Sequence, residues 1–380
     1  MIGIVHALRQ DTGPAPDERL AGLSLVLRAV LTAQQQGARR IIVLLRPGDD
    51  MGALDARVRV PLTTLVIDGP LSEALRAEVD AEFLLLRHDV IADASIYRDL
   101  RASSNVVATR GGASLGLLHA RPEMLADLST LAPLEVGARF AIEIRDDDDR
   151  RRAVDALFES CRKPVDGLVS RYLNRHISLF VSRHLVNTPI TPNQMTVATF
   201  AVGVLAAYVA SRGGYRDTLA AAALMQLNSI LDGCDGELAR VRFQGSRLGE
   251  WLDTIGDDFS NVLYWGGLAI GARTLAQHGD FLSAAGWVAA GANTLAALLN
   301  YRKLWGLGTG DLNALLPRPS GGLGAAVALV LKQDFFLLFL LGVAVTGYLH
   351  YVLPAVAVGA LVTLGAAIVG AQRAQRAKSK

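Results

Sequence analysis

The sequence predicts an N-terminal α/β domain followed by an all-α transmembrane domain of six helices. Three observations lead there. Residues 1–150 alternate short β-rich runs with helical patterns, the rhythm of a mostly parallel sheet covered by helices. The apolar excess of the chain, 51% hydrophobic with mean hydropathy +0.31, falls in the second half, while charge is denser in the first. The stretch 232–257, DGCDGELARVRFQGSRLGEWLDTIGD, sets four aspartates inside sequence that otherwise reads as membrane. An ionisable side chain there is expensive and marks a functional site.

The strand candidates are Ile2–Leu8, Arg40–Leu45, Thr63–Asp68, Glu82–Arg87, Asn105–Thr109 and Phe140–Arg145, with helices expected over 18–36 and 121–131. A charged helix over 147–161 closes this first domain, taken as 1–160. In 161–190, Leu168, Tyr172, Leu173, Ile177, Phe180, Val181 and Leu185 recur at helical spacing, and Arg171, Arg175, Arg183 and His184 supply a basic face. That pattern predicts an amphipathic helix lying on an anionic membrane surface, with a soluble linker helix as the alternative. Pro189 and Pro192 end it. Residues 191–375 then hold six expected spans, at 195–211, 217–238, 249–272, 281–300, 334–352 and 354–371, several near the roughly 20 residues a bilayer crossing needs. The segment 321–332 is too short to cross alone and reads as a surface helix or an extension of the fifth span.

Orientation follows from the basic residues. One side carries Arg240, Arg242, Arg247, Arg302, Lys303 and the tail Arg373, Arg376, Lys378 and Lys380, against Arg212, Arg216 and Arg273 on the other. The first domain, the motif loop and both termini are therefore expected in the cytoplasm, the protein sitting in the inner (cytoplasmic) membrane. The start, MIGIVHALRQDTG, has no basic n-region leading into a long apolar stretch, so no cleavable signal peptide is expected. Cys161 and Cys234, the only cysteines, fall in different settings, and no disulfide is expected. A net charge of +2 gives no ground for a nucleic-acid partner.

Within the motif, Asp232, Asp235 and Ala239 share one helix face, and Gly249, Asp253 and Asp257 repeat every four residues along the next. A short loop makes the helices antiparallel, so the acidic faces can meet as a cage of oxygen ligands suited to Mg²⁺ or Mn²⁺. Gly236 and Gly249 let a ligand approach the backbone, and Arg240 offers a cationic fork for a pyrophosphate. Such a site suits displacement at phosphorus across two metals, with a carboxylate taking the proton of an attacking hydroxyl. A transporter using the acids as an ion path and a membrane scaffold without turnover are the rivals.

The spacing D-x2-D-G-x2-A-R-x8-G-x3-D-x3-D resembles the signature of the CDP-alcohol phosphotransferases (CDP-alcohol phosphatidyltransferases), with every specified position present. The resemblance extends over about 163–375, including TPNQMT before the first span. It implies a six-helix fold, usually a homodimer, that cleaves a CDP-alcohol, transfers its phosphoalcohol group to a second alcohol and releases CMP. It implies that Asp232, Asp235, Asp253 and Asp257 hold two metals, that Asp257 doubles as general base, and that Asp232, Gly236, Ala239, Arg240 and Gly249 line the CDP pocket. The expected donor is CDP-diacylglycerol, the acceptor a small polar alcohol such as inositol phosphate, glycerol phosphate or serine, and the setting phospholipid biosynthesis among membrane lipid. Asn193 and Thr196 are candidates for the nucleotide's surroundings or for capping the first span. Arg302 and Lys303 either bind an acceptor phosphate or anchor the fourth span.

Residues 1–160 faintly resemble sugar-phosphate nucleotidyltransferases, a Rossmann-like α/β fold, through GLSLVLRAVLTAQQQGARRIIVLL and FLLLRHDVIAD, which makes Asp89 a candidate metal ligand. IRDDDDRRRAVDALFESCRKPVDG is similar to the closing helix of inositol-phosphate cytidylyltransferases, some of which are fused to a half that makes di-inositol phosphate phosphate. Transfer from CDP-inositol to inositol phosphate is thus the alternative activity. Two departures point to a domain that has lost catalysis. HALRQDTGPAPDERLAG lacks the G-x-G-x-R loop that cradles a triphosphate, and Arg145 stands where an acid is expected.

Overall fold

The structure, a computed structural model, describes the chain except residues 9–12, 53–54, 69–74, 164–165, 316–332 and 379–380. The expected surface helix at 321–332 lies outside the described residues. By internal packing the chain divides into two units, Met1–Cys161 with Val241–Phe243, and Arg162–Arg240 with Gln244–Lys380.

The first unit contains strands β1 (Ile2–His6), β2 (Arg19–Leu20), β3 (Leu23–Ser24), β4 (Arg40–Leu45), β5 (Leu62–Val66), β6 (Phe83–Arg87), β7 (Val90–Ala92), β8 (Val106–Arg110), β9 (Ala113–Ala120), β10 (Ala132–Glu135) and β11 (Ala141–Glu143), and helices α1 (Leu25–Gln35), α2 (Ala94–Ala102) and α3 (Asp147–Glu159). Seven strands form one sheet in the order β10-β8-β9-β6-β1-β4-β5. It is parallel except for β9, which runs antiparallel to β6 and β8. Both faces are buried, which is why β1, β4 and β6 read as continuous apolar runs. Ile2, Ile4, Ile42, Leu44, Phe83 and Leu85 face one core, and Val5, Ile41, Val43, Leu84 and Leu86 the other.

Two expected helices differ. The pattern over 18–36 begins instead with a β2–β3 hairpin, because Ala21 and Gly22 take left-handed backbone at φ 48° and 82°. Ser24 then accepts from the Leu27 amide and starts α1 at Leu25. Residues 121–131 form two short 3₁₀ turns, Pro122–Ala126 and Leu128–Thr130, not an α-helix. Asp127 divides them by turning its carboxylate onto the Ser129 amide and hydroxyl at 3.0 and 2.6 Å, a local bond that competes with helix propagation.

The second unit is helical: a wide turn at Ser170–Asn174 running into α4 (Arg175–Leu185), then α5 (Pro192–Ala210), α6 (Tyr215–Val241), α7 (Arg247–Ala272), α8 (Gly279–Leu307), α9 (Gln333–Val345) and α10 (Leu353–Lys378). Among the described residues, three stretches are long and apolar enough to cross a membrane, Pro192–Ala210, Gly279–Leu307 and Leu349–Gly370. Helices α6 and α7, of 27 and 26 residues, have the length but carry the motif's charges. The expected fifth span at 334–352 is not one helix: α9 has 13 residues, and Gly347 at φ 80° turns the chain before a short turn at Leu349–Val352 leads into α10. Small residues bring the helices together. A Cβ on Gly267 would lie 2.2 Å from the Ala207 carbonyl oxygen, and one on Gly271 2.3 Å from that of Ala210, so α5 and α7 cross backbone to backbone.

Candidate active site on α6 and α7

The site is built from the end of α6 and the start of α7. Phe243, at φ 55°, makes the turn after α6. Ser246 then caps α7 by accepting from the Gly249 amide at 3.0 Å. This places Asp232 on α6 and Asp253 and Asp257 on α7 side by side. One carboxylate oxygen from each lies within 4.8 Å of the others. This is the one group of metal-ligand residues among the described residues. Asp253 Oδ1 is buried without a hydrogen-bond partner. Three hard carboxylates converging, with one oxygen left over, fit a divalent cation.

Asp235 stands apart from this trio. Its carboxylate accepts from the Thr196 hydroxyl, carried on α5, and from the Gly236 amide. Thr196 also donates to Pro192 O at 3.2 Å, so its hydroxyl is shared between its own helix and the acid. It does not cap α5. Thr191 does, in a capping box with Gln194. Asn193 lies against Gly249, whose added Cβ would sit 3.2 Å from Asn193 Oδ1. The Arg240 guanidinium folds over Gly236, where an added Cβ would sit 3.2 Å from Nη1. Glycine at 236 leaves that approach open. Ala239 is half-buried on the same helix.

A family model for the CDP-alcohol phosphatidyltransferases matches residues 189–368, which include every one of these side chains. Residues 189–368 are thus similar to the CDP-alcohol phosphatidyltransferase family. The chain is also similar to curated relatives named bifunctional IPC transferase and DIPP synthase. The one from Aquifex aeolicus is 36% identical over 147 residues, covering 38% of this chain and 33% of the relative. The one from Thermococcus kodakarensis is 49% identical over 98 residues, covering 25% and 21%. The chain thus spans a third or less of the length of these relatives. Among solved structures, the crystal structure of Mycobacterium tuberculosis phosphatidylinositol phosphate synthase with CDP-DAG bound is 20% identical, with a TM-score of 0.40, covering 52% of this chain and 94% of that one.

Other residues singled out in the matched region make the following contacts. Asp258, beside Asp257, accepts from the Tyr301 hydroxyl of α8 at 2.7 Å. Trp251 packs edge-on to Tyr301 and against Trp305. Arg302 and Lys303 lie in the last turns of α8, with Lys303 donating to Ala367 O at 3.3 Å. Trp265 packs against Tyr264 and Phe336. In the segment before that region, His184 Nδ1–H donates to Phe180 O at 2.8 Å and the ring tilts against that of Phe180.

The first unit places its expected metal acid differently. Asp89, in the turn after β6, is 4% exposed and held by Arg87, which forks to both oxygens at 2.9 and 2.5 Å. The same guanidinium reaches Glu143 Oε1 at 2.5 Å, brought there by the β7–β11 register. Gly116 makes room for it, since a Cβ there would lie 2.3 Å from Arg87 Cδ. Arg145 joins Glu143 from the other side. Burial pushes the Glu143 carboxyl up, but the bonds from Arg145 and Arg87 outweigh it and hold its pKa below the usual value. A cation from the chain's own side chains sits where Asp89 was expected to hold a metal.

Proposed function

We propose that this chain is an integral membrane transferase that moves a phosphatidyl group from CDP-diacylglycerol to a small polar alcohol and releases CMP. The observation that carries this reading is the trio Asp232, Asp253 and Asp257, gathered within 4.8 Å inside the region 189–368 that matches the family. Two Mg²⁺ or Mn²⁺ ions held by Asp232, Asp235, Asp253 and Asp257 would neutralise the donor's pyrophosphate charge. Arg240 holds the phosphates, and Gly236, Ala239, Gly249 and Asp232 line the CDP pocket. Asp257 takes the proton from the acceptor hydroxyl as the new oxygen–phosphorus bond forms. The bond from that phosphorus to the CMP oxygen breaks, and CMP leaves with both electrons. Leu252, Ile255 and Phe259 stay exposed on α7 among these acids and suit acyl chains of a lipid donor.

In this reading 191–375 forms six spans, with α6, α7 and α9 completing the crossing, the active site opens to the cytoplasm, and the protein works as a homodimer. The segment 161–190 lies at the membrane surface, supported by the exposure of Tyr172, Ile177 and Phe180. Residues 1–160 form a nucleotidyltransferase-like domain without catalysis, supported by Arg87 between Asp89 and Glu143. A second reading, CDP-inositol with inositol phosphate as acceptor, is favoured by the relatives named IPC transferase and DIPP synthase. Purified protein with Mg²⁺, given CDP-diacylglycerol or CDP-inositol and a panel of inositol phosphate, glycerol phosphate and serine, separates the two by which pair yields CMP. Release from CDP-inositol alone would replace the first reading with the second.

A further inference from the structure

Helix α6 has a second polar face that the proposed chemistry does not use. Gln226, Ser229, Gly233 and Glu237 recur at three- and four-residue intervals, so they form one stripe. At the helical period this stripe lies roughly opposite Asp232 and Asp235. It is covered by the wide turn at 170–174 and by α4. Gln226 donates to Asn174 Oδ1 at 2.9 Å, and Asn174 donates to Ser229 Oγ at 3.2 Å. Arg175 lies against bare backbone at Gly233, where an added Cβ would sit 2.9 Å from its Nη1. Glu237 is fully buried and accepts three bonds: from Arg175 at 2.8 Å, Ser178 at 2.7 Å and Ser182 at 2.7 Å. The other edge of the Arg175 guanidinium binds Asp166 at 3.0 and 3.2 Å.

We propose that the Arg175–Glu237 pair is a positioning device that fixes the rotation of α6, so that Asp232 meets Asp253 and Asp257. The argument is one of register. A buried ion pair adds little net stability over an apolar pair of the same shape, and its best-attested use is to select one packing over its neighbours. Apolar contacts between helices tolerate sliding and turning, whereas a carboxylate with three fixed donors does not. A one-residue slip of α6 turns its acidic face by about 100° and takes Asp232 out of the trio. The pair sits two and five residues from Asp235 and Asp232 along the helix, so a rotation at one is a rotation at the other. Because the wide turn and α4 also carry the exposed Tyr172, Ile177 and Phe180, the device ties the surface segment to the metal-binding face.

This inference rests on the transferase reading only for the use of the trio; its test does not need turnover. In the full-length chain, Mn²⁺ binding is titrated by electron paramagnetic resonance for wild type, Glu237→Gln and Arg175→Lys, with thermal melting and size exclusion on the same samples. Glutamine keeps the shape of Glu237 but removes the charge. Lysine keeps the charge of Arg175 but cannot fork between Asp166 and Glu237. Positioning partners of metal ligands are typically worth about 10- to 100-fold in metal affinity. Both variants are expected to stay folded and monodisperse while binding Mn²⁺ at least about tenfold more weakly, and CMP release, where measured, needs a correspondingly higher Mg²⁺ concentration for half-maximal rate. A folded Glu237→Gln protein with wild-type Mn²⁺ affinity overturns the proposal. If Glu237→Gln does not fold, a folded Arg175→Lys protein decides by the same criterion. Wild-type protein that binds Mn²⁺ yet releases no CMP would sink the transferase reading while leaving this comparison intact.

Discussion

Thr196→Val isolates one bond at the edge of the site. Valine keeps the shape of threonine and its methyl, and it removes only the hydroxyl that donates to Asp235. Asp235 is 8% exposed, so water does not readily replace the lost donor. The Gly236 amide still donates to Asp235. A hydrogen bond to a charged group is worth about 1.5–3 kcal/mol, and leaving a buried acceptor short costs a similar amount. If Asp235 must be held for the metals and the donor, that range becomes a loss of about 10- to 150-fold in kcat/KM for CDP-diacylglycerol. The hydroxyl's second bond, to Pro192 O within α5, is expected to matter little, because Thr191 and Gln194 cap that helix independently. The assay is CMP release by the purified variant across a Mg²⁺ series, with melting temperature as the control for folding. A folded variant within about twofold of wild type at every Mg²⁺ concentration would refute the argument that Thr196 holds Asp235 in place.

Four further outcomes follow from the geometry. Asp253→Asn should remove both turnover and Mn²⁺ binding, read by electron paramagnetic resonance; retained binding would mean the trio is not the ligand set. Gly267→Leu forces a Cβ to within 2.2 Å of the Ala207 carbonyl oxygen, and should prevent a monodisperse protein in detergent; wild-type elution would contradict the α5–α7 crossing. Arg87→Ser leaves Asp89 without its buried cation, a change worth about 3–5 kcal/mol in local stability, visible as faster amide exchange across β6 and β7. Glu143 has a lowered pKa in the fold, so its contribution to stability is full above the unfolded value of about 4.3 and is lost as pH falls through the lower folded value. Protection factors, taken relative to the intrinsic exchange rate at each pH, should therefore fall in β7 and β11 on acidification below about pH 4.3, and Glu143→Gln should flatten that pH dependence.

The parts of the molecule that depend on local pattern were legible in the sequence. The strands β1, β4 and β6 are apolar runs, and Asp232, Asp253 and Asp257 follow helical spacing onto facing sides of α6 and α7. What was hidden depends on partners far along the chain. Strand β9 begins exposed and ends buried, so no alternation announced it, and its antiparallel place comes from pairing with β6 and β8. The hydroxyl of Thr196 reaches an acid 39 residues away, a bond no spacing rule predicts. Glu237 carried the clearest unread signal, a carboxylate between Asp235 and Arg240 but on the opposite side of the helix. The Arg87 fork was equally hidden, because it depends on the β7–β11 register bringing Glu143 beside Asp89.

The central claim is that the clustered aspartates make this chain a CDP-alcohol transferase. It is tested most directly by CMP release from CDP-diacylglycerol by the purified full-length protein with Mg²⁺ and the acceptor panel, run beside Asp257→Asn. The account predicts acceptor-dependent CMP release by the wild type and none by a folded Asp257→Asn protein. Equal release by the two proteins would remove Asp257 as the base, and no release from any CDP-alcohol by a folded, Mn²⁺-binding wild type would contradict the account as a whole.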